Sequence, residues 1–466
     1  MASPSSPPVY VLGVGLTKFI KPRNKVDYPL LALEASTKAL LDAHLNYDTI
    51  TAAIASYCYG DSACGQRCLY QLGMTGIPIY NVNNNCASGS SALHLARTLL
   101  SSPALQHSCI LVLGFEKMAP GSLSSVWKDR ANPIEKIGLK MAETRGYDGG
   151  VPGSAQMFGN AGREYMEKYG ATREDFAEIA RVNHLHSKQN PYSQFRDVYT
   201  LEEILGSQEL FEPLTKLQAC PTSDGAAAAV LCSEAFLEEL VRKEGEGVRE
   251  RAVQIAGMSM ATDSPAAFGG SAMELVGYDM SRRAAEAALK EAGVKAMHPK
   301  VVELHDCFSA NEMVTLEALG LCKRGKAHEM VRNGDITFGG RVVVNPSGGL
   351  ISKGHPLGAT GIAQCAELVW QLRGWANNRL VEGAEVALQH NLGLGGVAVV
   401  TVYKRADGGV SKHVVDEEVG KASGVGYNPA VVAKGFTKEQ VKQVRSRKAP
   451  SEWAMGDAME KAASRL

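Results

Sequence analysis

The most reactive arrangement in the sequence is a cysteine that stands between a polar turn and a helix. Cys86 follows the stretch NVNNN and precedes ASGSSALHLARTLL, whose first turn is made of small residues. A thiol at a helix N-terminus meets unpaired N–H groups and the positive end of the helix dipole, and both favour the thiolate. Small residues would let a substrate carbonyl approach the N–H of Cys86. The pattern predicts a nucleophile; the alternative is a buried structural cysteine, and the strand, turn and helix context distinguishes Cys86 from the other nine cysteines.

A histidine occupies the corresponding place in the second half of the chain. His355 lies in NPSGGLISKGHPLGATG, a glycine-rich strand exit that leads into a helix. An imidazole whose pKa is near neutrality can take a thiol proton and hold the resulting thiolate. The alternative is an ordinary surface or core histidine. Because the two segments hold matching positions, we predict that His355 faces Cys86.

Two further segments carry groups that could act on a bound carbonyl compound. In ELHDCFS, His305 and Cys307 alternate along an extended segment, so their side chains are expected on one side; a packed cysteine at a strand end is the alternative. The stretch QHNLGLGG, residues 389–396, is interpreted as a glycine-rich turn after a strand. It lacks the ending of a phosphate loop. We expect N–H donors from Asn391 to Gly393 to be available to an oxyanion.

Composition excludes several classes of function. The chain has 466 residues with 49 Lys+Arg and 49 Asp+Glu, which gives no electrostatic case for binding nucleic acid. No apolar run approaches the roughly 18 residues that span a bilayer, so a soluble protein is expected. Ten cysteines without a secretory leader predict free thiols in a reducing compartment. Cys58, Cys64 and Cys68 lack the fourth ligand and paired spacing of a zinc site, so no metal site is predicted.

The elements that must position these groups alternate between strands and amphipathic helices, which indicates an α/β fold. The first half has predicted strands at 9–14, 52–57, 79–82 and 109–115 and helices at 29–44 and 87–100. The same order returns as strands at 253–257, 301–304 and 386–389 and helices at 280–292 and 358–372. We predict a duplicated core whose ligand cleft lies where the loops of the two halves meet.

The remaining segments complete the predicted domain organisation. The first half comprises residues 1–118 and 220–245, an insertion comprises 119–219, and the second half comprises 246–405. An extension, 406–466, ends in Ser464, Arg465 and Leu466, which differs from a peroxisomal import signal only by Arg for Lys. We therefore predict recognition by the peroxisomal import receptor. This extension is too short for an additional lipid-binding domain of ordinary size.

These segments, in this order, resemble the thiolase superfamily and, within it, the sterol carrier protein X type. The resemblance covers residues 9–404 and includes QMFGNAGREYMEKYG, NPYSQFRD, CPTSDGAAAA, ELHDCFS, NPSGGLISKGHPLGATG and ALQHNLGLGG. It implies a thiolase fold with five αβαβα layers and an inserted loop domain. It also implies thiolysis of a 3-oxoacyl-CoA by CoA, a co-substrate, to a shortened acyl-CoA plus acetyl-CoA or propionyl-CoA in peroxisomal β-oxidation. The implied assembly is a homodimer without a permanently bound cofactor.

The resemblance also implies a role for each reactive residue. Cys86 would be the acylated nucleophile, and His355 would activate it. Most thiolases carry a second catalytic cysteine in a C-x-G stretch that here reads QHNLGLGG without cysteine. In the sterol carrier protein X type the HDCF cysteine, here Cys307, serves instead as the acid that protonates the departing enolate. His305 and His355 would bind the thioester oxygen, and the Cys86 N–H with one from Asn391 to Gly393 would form a second oxyanion hole.

Two other functions stay open at this stage. Cys86, His305 and His355 also resemble the Cys-His-His set of decarboxylating condensing enzymes. A non-catalytic acyl-CoA-binding or lipid-binding protein on the same fold is the second alternative. The sequence does not indicate the preferred chain length or branching, the acceptance of sterol side chains, or the residues that contact CoA.

Overall fold

The computed structural model describes residues 7–23, 26–119 and 129–450. The strands are β1 (Val9–Leu16), β2 (Ala52–Ser56), β3 (Ile79–Val82), β4 (Cys109–Glu116), β5 (Glu209–Phe211), β6 (Leu214–Thr215), β7 (Gly225–Ser233), β8 (Val253–Ala261), β9 (Val301–Glu303), β10 (Val343–Val344), β11 (Val386–Gly393) and β12 (Val397–Arg405). The α-helices are α1 (Tyr28–Asp42), α2 (Cys64–Leu69), α3 (Ser88–Leu100), α4 (Glu135–Arg145), α5 (Gly153–Tyr169), α6 (Arg173–Ser187), α7 (Leu201–Leu205), α8 (Glu234–Glu244), α9 (Gly247–Arg251), α10 (Ala272–Leu275), α11 (Tyr278–Ala292), α12 (Ser309–Ala318), α13 (Ala327–Arg332), α14 (Leu357–Arg373), α15 (Asp416–Ala422) and α16 (Lys438–Val444). A π-helical turn spans Gly349–Lys353.

The strand order repeats between the two halves. One half runs β3-β2-β4-β7-β1 and the other runs β10-β9-β11-β12-β8, and a short antiparallel pairing of β1 with β8 joins them. In each half the three outer strands are parallel and the next two pairings are antiparallel. The same order and the same polarity in both halves confirm the predicted duplicated α/β core.

The fold has five layers, because the side chains of each strand alternate between a central core and an outer helix. Alternate residues of a strand point to opposite faces, so Ile54 of β2 enters a central core while Ala53 packs against the outer helix α1. In the second half, Val301 enters the same central core and Val302 packs outward with residues of α11. Helices α3 and α14 lie between the two sheets, and α1 and α11 cover the outer faces. The inner strands β1, β2, β4, β7 and β11 are therefore buried on both faces, as the sequence pattern indicated.

Small residues bring α3 and α14 together. A Cβ on Gly89 would come within 2.9 Å of the Gly358 carbonyl oxygen, and one on Gly361 would come within 2.4 Å of the Ser90 amide nitrogen. The expectation that the small residues after Cys86 leave room for substrate is therefore wrong for Gly89 and Ser90. They allow two helix backbones to cross closely between the sheets.

Helix α14 is buried along its whole length, which is expected of a helix with a sheet on both sides. Its last residue, Arg373, is buried with a carboxylate partner: Nη1 lies 2.8 Å from Asp42 Oδ2. Nη2 also donates to the Leu12 carbonyl oxygen at 2.7 Å. Because a buried charge is tolerated only when it is paired and hydrogen-bonded, these contacts permit the arginine to end a helix inside the protein.

The insertion and the extension pack on this core. Helices α5 and α6 contact α12, and the Tyr165 hydroxyl of α5 donates to the Glu317 carboxylate of α12. In the extension, Arg445 Nε donates to the Gln71 carbonyl oxygen at 2.7 Å. The predicted import signal, Ser464 to Leu466, lies outside the described residues. No helix in the described ranges combines the length and the apolar character that crossing a membrane requires.

The end of β11 differs from the sequence prediction in a way that affects the site. Residues 389–396 were expected to form a glycine-rich turn, but β11 continues to Gly393 and the turn is confined to residues 394–396. The reason is the antiparallel partner β12, which pairs with β11 up to Gly393 opposite Val397. A partner strand stabilises an extended conformation that the local glycine content does not favour.

Candidate active site

Four of the predicted side chains line one cavity of about 210 Å³ between the two halves. Cys86 lies two residues before the first residue of α3, and His355 lies between the π-helical turn and α14. His305 and Cys307 lie in the short segment that joins β9 to α12. The structure therefore brings together residues from three segments that are far apart in the sequence.

The sulfur and the two imidazoles are close neighbours. The Cys86 Sγ and one ring nitrogen from each histidine lie within 4.8 Å of one another. The rings of His305 and His355 meet edge to face, with centroids 5.1 Å apart and an interplanar angle of 86°. A carbonyl group in this space would meet a thiol and two imidazoles at once.

A strained turn presents Cys86 to the cavity. Asn85 has a left-handed backbone with φ of 51°, which is uncommon outside glycine but tolerated by asparagine. The Ser88 hydroxyl donates to the Asn85 carbonyl oxygen at 2.6 Å and accepts from the Asn84 amide at 2.9 Å. The Asn85 side-chain amide donates to the Leu394 carbonyl oxygen at 2.9 Å, which ties this turn to the second half. The asparagines of NVNNN thus hold the turn in place.

The hydrogen bonds of His355 determine which ring nitrogen carries the proton. Its Nδ1 lies 2.7 Å from Thr360 Oγ1, and the Thr360 hydroxyl donates to the Pro356 carbonyl oxygen at 3.0 Å. Because that hydroxyl has one hydrogen, Nδ1–H must be the donor in the other bond. Nε2 then carries a lone pair, and it is buried without a hydrogen-bond partner in the described part of the chain. The arrangement suits a base that accepts the Cys86 proton.

His305 has the opposite arrangement. The Asn391 side-chain Nδ2 donates to His305 Nδ1 at 3.0 Å, so the hydrogen of the neutral ring is on Nε2. The Asn391 Oδ1 is buried and finds no partner among the described residues. His305 is thereby prepared to donate a hydrogen bond, whereas His355 is prepared to accept a proton. The sequence pattern indicated Asn391 only for its backbone amide, and nothing in it predicted this role of the side chain.

Burial reverses two expectations about protonation. It raises the pKa of the Cys86 thiol to about 12, and the nearby Glu116 carboxylate adds to the shift. Burial also lowers the pKa of His355 to about 3. The predictions of a stabilised thiolate and of a histidine titrating near neutrality are therefore wrong. Desolvation of the charged forms outweighs the favourable dipole of the helix N-terminus, so the resting pair is a thiol and a neutral imidazole.

The pH dependence of Cys86 alkylation tests this protonation state. Only the thiolate reacts with iodoacetamide, and a thiol with a pKa of about 12 is far from half ionised at neutral pH. The alkylation rate at Cys86, followed by mass spectrometry of its peptide, should rise close to tenfold per pH unit from pH ~7 to ~10. A rate that levels off below pH ~8 would show a stabilised thiolate instead.

A third thiol, absent from the sequence interpretation, lies beside Cys307. Cys220 lines the same cavity, and its amide donates to the Cys307 carbonyl oxygen at 2.9 Å. Burial raises the pKa of Cys307 well above its usual range, and the neighbouring Cys220 and Cys86 thiols contribute to the shift. Cys307 is therefore a thiol at rest, which is the form an acid must have. The CPTSDG motif contained the only sequence signal for Cys220.

Buried carboxylates hold the histidine-bearing segments together. Asp306, between His305 and Cys307, accepts from the Leu350 amide at 2.6 Å and from the Ile351 amide at 3.2 Å. These amides belong to the π-helical turn that precedes His355. From the other side, Glu116 accepts from the Gly358 amide at the start of α14 at 2.9 Å. The geometry of the cavity thus depends on carboxylates that do not line it.

The end of β11 forms another wall of the site. A Cβ on Gly393 would meet the Asn84 carbonyl oxygen at 2.4 Å, so the absence of a side chain lets β11 approach the Cys86 turn. β9 stops pairing with β11 at Gln389, whereas β12 pairs as far as Gly393. Successive amides of a strand point to opposite edges. Two arrangements satisfy this alternation. The N–H groups that point away from β12 belong to Leu392 in one, and to Asn391 and Gly393 in the other.

Comparison with known proteins is consistent with this geometry. Residues 9–235 match the family described as "Thiolase, N-terminal domain", and residues 269–405 match "Thiolase C-terminal domain-like". Sterol carrier protein 2 from Gallus gallus is 55% identical over 412 residues, covering 86% of this chain and 74% of the relative. An acetyl-CoA acetyltransferase from Methanothermobacter thermautotrophicus is 33% identical over 403 residues, covering 85% of this chain and 99% of the relative.

Solved structures of low sequence identity share the fold. The Ltp2-ChsH2(DUF35) aldolase superposes with a TM-score of 0.69 at 21% identity, covering 86% of this chain and 98% of that chain. Human mitochondrial 3-ketoacyl-CoA thiolase in complex with CoA gives a TM-score of 0.61 at 18% identity, with coverage of 86% and 98%. At these identities the likeness concerns the arrangement of strands and helices.

Proposed function

Because the chain belongs to the thiolase family of acyltransferases, we propose that it cleaves 3-oxoacyl-CoA with CoA. The products are an acyl-CoA shortened at the 3-oxo carbon and acetyl-CoA, or propionyl-CoA when the carbon between the two carbonyls carries a methyl group. The convergence of Cys86, His305 and His355 within 4.8 Å carries this proposal. Cys307 in the same cavity supplies the acid that carbon–carbon cleavage requires.

The first half-reaction uses the two tautomers in different ways. Cys86 attacks the 3-oxo carbon while His355 Nε2 takes the thiol proton, because a neutral imidazole beside a thiol acts as a general base. The carbon–carbon bond then breaks and leaves an enolate of the thioester. His305 Nε2–H and the newly formed His355 Nε2–H donate to the enolate oxygen. Cys307 gives its proton to the enolate carbon, which releases acetyl-CoA and leaves the acyl group on Cys86.

The second half-reaction returns the site to its resting state. The Cys307 thiolate takes the proton of the CoA thiol, and the CoA sulfur attacks the acylated Cys86. Cys86 leaves as its thiol when His355 returns the proton. The Cys86 N–H and an N–H from Asn391 to Gly393 are the proposed donors to the tetrahedral oxyanion; each such donor typically contributes about 3 kcal/mol.

The walls of the cavity suit the alkyl part of such a substrate. Most of the remaining lining is apolar: Met118, Ala155, Phe158, Leu210, Phe308, Leu357, Leu392 and Leu394. Apolar walls favour the burial of hydrocarbon and strengthen the polar interactions at the reacting carbonyl. Two similar proteins bear names that fit an acyl-CoA substrate, namely the acetyl-CoA acetyltransferase and the CoA-bound thiolase structure.

A direct assay decides between catalysis and binding alone. The purified protein is incubated with acetoacetyl-CoA or a longer 3-oxoacyl-CoA, with and without CoA, and intact-protein mass spectrometry records acylation. We expect substrate loss that depends on CoA, and an acyl adduct on the Cys86 peptide. Unchanged substrate together with unmodified Cys86 would leave only a binding function. A panel of straight-chain and 2-methyl-branched substrates then determines the preferred acyl group.

A decarboxylating condensing enzyme is the second candidate. The grouping of Cys86 with two histidines favours it, because this set resembles the Cys-His-His site of such enzymes. Cys307 discriminates between the candidates, since condensation by decarboxylation needs no acid to protonate a departing enolate.

A homodimer is proposed, with β3 as part of the contact between subunits. Among the described strands, β3 pairs only with β2 and ends the sheet of the first half, and Tyr80 on it is 42% exposed. An exposed strand edge is a ready template for pairing with another chain. Sedimentation should give twice the mass of the chain, and Tyr80→Lys should shift the equilibrium towards monomer. Monomeric wild-type protein at micromolar concentration would exclude this assembly.

The proposed location is the peroxisome, with fatty-acid β-oxidation as the process. The basis is the terminal Ser464, Arg465 and Leu466, which the import receptor is expected to bind. A fluorescent protein fused to the N-terminus should co-localise with a peroxisomal marker. Deletion of these three residues should leave the fusion in the cytosol. A cytosolic fusion that still carries the intact ending would refute the targeting proposal.

A further inference from the structure

The three atoms at the centre of the cavity also form a group of suitable ligands for a soft divalent metal ion. Cys86 Sγ and one nitrogen each of His305 and His355 lie within 4.8 Å of one another, and no other such group occurs in the described ranges. Tetrahedral Zn²⁺ holds sulfur at about 2.3 Å and nitrogen at about 2.0 Å, so its ligand atoms are roughly 3.3–3.6 Å apart. Closing the present separation requires a movement of about 1–1.5 Å, within reach of small side-chain rotations.

His355 already has the form that a metal requires. Its Nδ1–H donates to Thr360 Oγ1, which leaves the lone pair on Nε2. This nitrogen is buried and lacks a hydrogen-bond partner within the described residues. A buried polar atom without a partner is costly, and coordination would supply the missing interaction. Metal-bound histidines usually donate their other N–H to an oxygen, and Thr360 occupies that position here.

His305 can reach the same state by one rotation of an amide. At present Asn391 Nδ2 donates to His305 Nδ1, and the Asn391 Oδ1 is buried without a partner in the part of the chain that is described. Rotation of the amide by 180° would present Oδ1 to Nδ1. The hydrogen of His305 would then move to Nδ1, where Oδ1 accepts it, and Nε2 would be free to bind a metal. The rotation would pair the Asn391 oxygen in place of the amide nitrogen, so the amide keeps one hydrogen bond to His305.

We propose that the cavity binds Zn²⁺ through Cys86, His305 and His355, and that the bound ion holds the enzyme inactive. A water molecule completes the tetrahedron, as in sites with three protein ligands. The Cys86 S–H bond breaks, an S–Zn bond forms, and the proton passes to solvent; no oxidation occurs. The ion occupies the nucleophile and the lone pair of the base together. Magnesium and calcium prefer oxygen ligands, so neither should compete.

Metal binding stands independently of catalysis, whereas the inhibitory effect rests on the proposed thiolase activity. Reduced full-length protein is titrated anaerobically with CoCl₂, because tetrahedral cobalt reports its ligands by absorption. We expect visible bands of tetrahedral cobalt, a thiolate-to-cobalt charge-transfer band, and loss of both when ZnCl₂ is added. Zn²⁺ should also protect Cys86 of the wild-type protein from iodoacetamide, and EDTA should reverse the protection.

Variants separate this site from other cysteines. Cys86→Ser should remove the charge-transfer band, while Cys322→Ser, a half-buried thiol outside the cavity lining, should leave it unchanged. Thr360→Val removes the acceptor for His355 Nδ1–H and should weaken cobalt binding roughly 10- to 100-fold. Thr360→Ser keeps the hydroxyl and should restore the affinity, which distinguishes orientation of the ring from a packing defect.

The outcomes can be told apart. A charge-transfer band that persists in Cys86→Ser, or no tetrahedral cobalt spectrum at millimolar cobalt, overturns the metal site. If cobalt binds at Cys86 but the protein cleaves 3-oxoacyl-CoA equally well with Zn²⁺ bound, only the proposed inhibition by the metal is overturned. If no thiolysis occurs in the absence of metal, the proposed function fails, and the cobalt spectra still decide whether the site exists.

Discussion

Replacement of Cys86 by alanine is expected to lower the rate of 3-oxoacyl-CoA thiolysis by roughly 10⁴-fold or more, because a covalent pathway without its nucleophile retains only binding and electrostatic effects. The acyl adduct seen by intact-protein mass spectrometry should disappear as well. The fold should be retained, since Cys86 keeps some accessible surface and lines the cavity. Steady-state rates with acetoacetyl-CoA and CoA, measured beside circular dichroism, test this expectation.

The matched control is Cys322→Ala, a half-buried cysteine that does not line the cavity. It should keep wild-type thiolysis and wild-type acylation. An acyl adduct that persists in Cys86→Ala would move the nucleophile to another thiol, and Cys220 and Cys307 would then be the candidates because both line the same cavity.

Replacement of Cys307 by alanine should separate the two halves of the reaction. Thiolysis should fall by roughly 10²- to 10⁴-fold, the usual contribution of a general acid or base. Acylation of Cys86 by acetyl-CoA should continue, because CoA leaves as a thiolate of low basicity and no enolate carbon has to be protonated. Thiolysis is measured from the loss of substrate, and acylation by mass spectrometry of the Cys86 peptide after incubation with acetyl-CoA.

Two results would change the assignment of Cys307. Thiolysis at the wild-type rate in Cys307→Ala would remove this thiol from the mechanism. Loss of both thiolysis and acylation, with the fold intact, would indicate that Cys307 positions the site instead of transferring a proton. Cys307→Ser, which keeps a weaker donor at the same place, should recover part of the thiolysis rate only if proton transfer is the role.

The positions and the order of the strands and helices could be predicted from the local pattern of apolar residues. Strand and helix positions followed from apolar periodicity, and the duplication followed from the repeated order of those elements, because both properties are encoded over short stretches. The types of the reactive residues and their places at element ends, as for Cys86 and His355, were also visible in the sequence. The fold confirms the predicted duplicated α/β core, whereas the catalytic roles await the experiments above.

The protonation of the site could not be predicted in this way. The helix N-terminus before which Cys86 stands favours thiolate, but burial raises the pKa of its thiol to about 12. Burial likewise lowers the pKa of His355 to about 3, although free imidazole titrates near neutrality. Desolvation depends on everything packed around a group, so residue type and neighbours in sequence carry too little information.

Local residue pattern specifies which strands and helices form, in what order, and which of them have a thiol or an imidazole at their ends. The contacts made after folding specify the roles of these groups: Thr360 orients His355 as an acceptor, and Asn391 orients His305 as a donor. They also place Cys220 beside Cys307. Periodicity and helix signals act over a few residues of the sequence. Hydrogen-bond partners and burial, in contrast, come from distant segments that meet only when both halves have folded together.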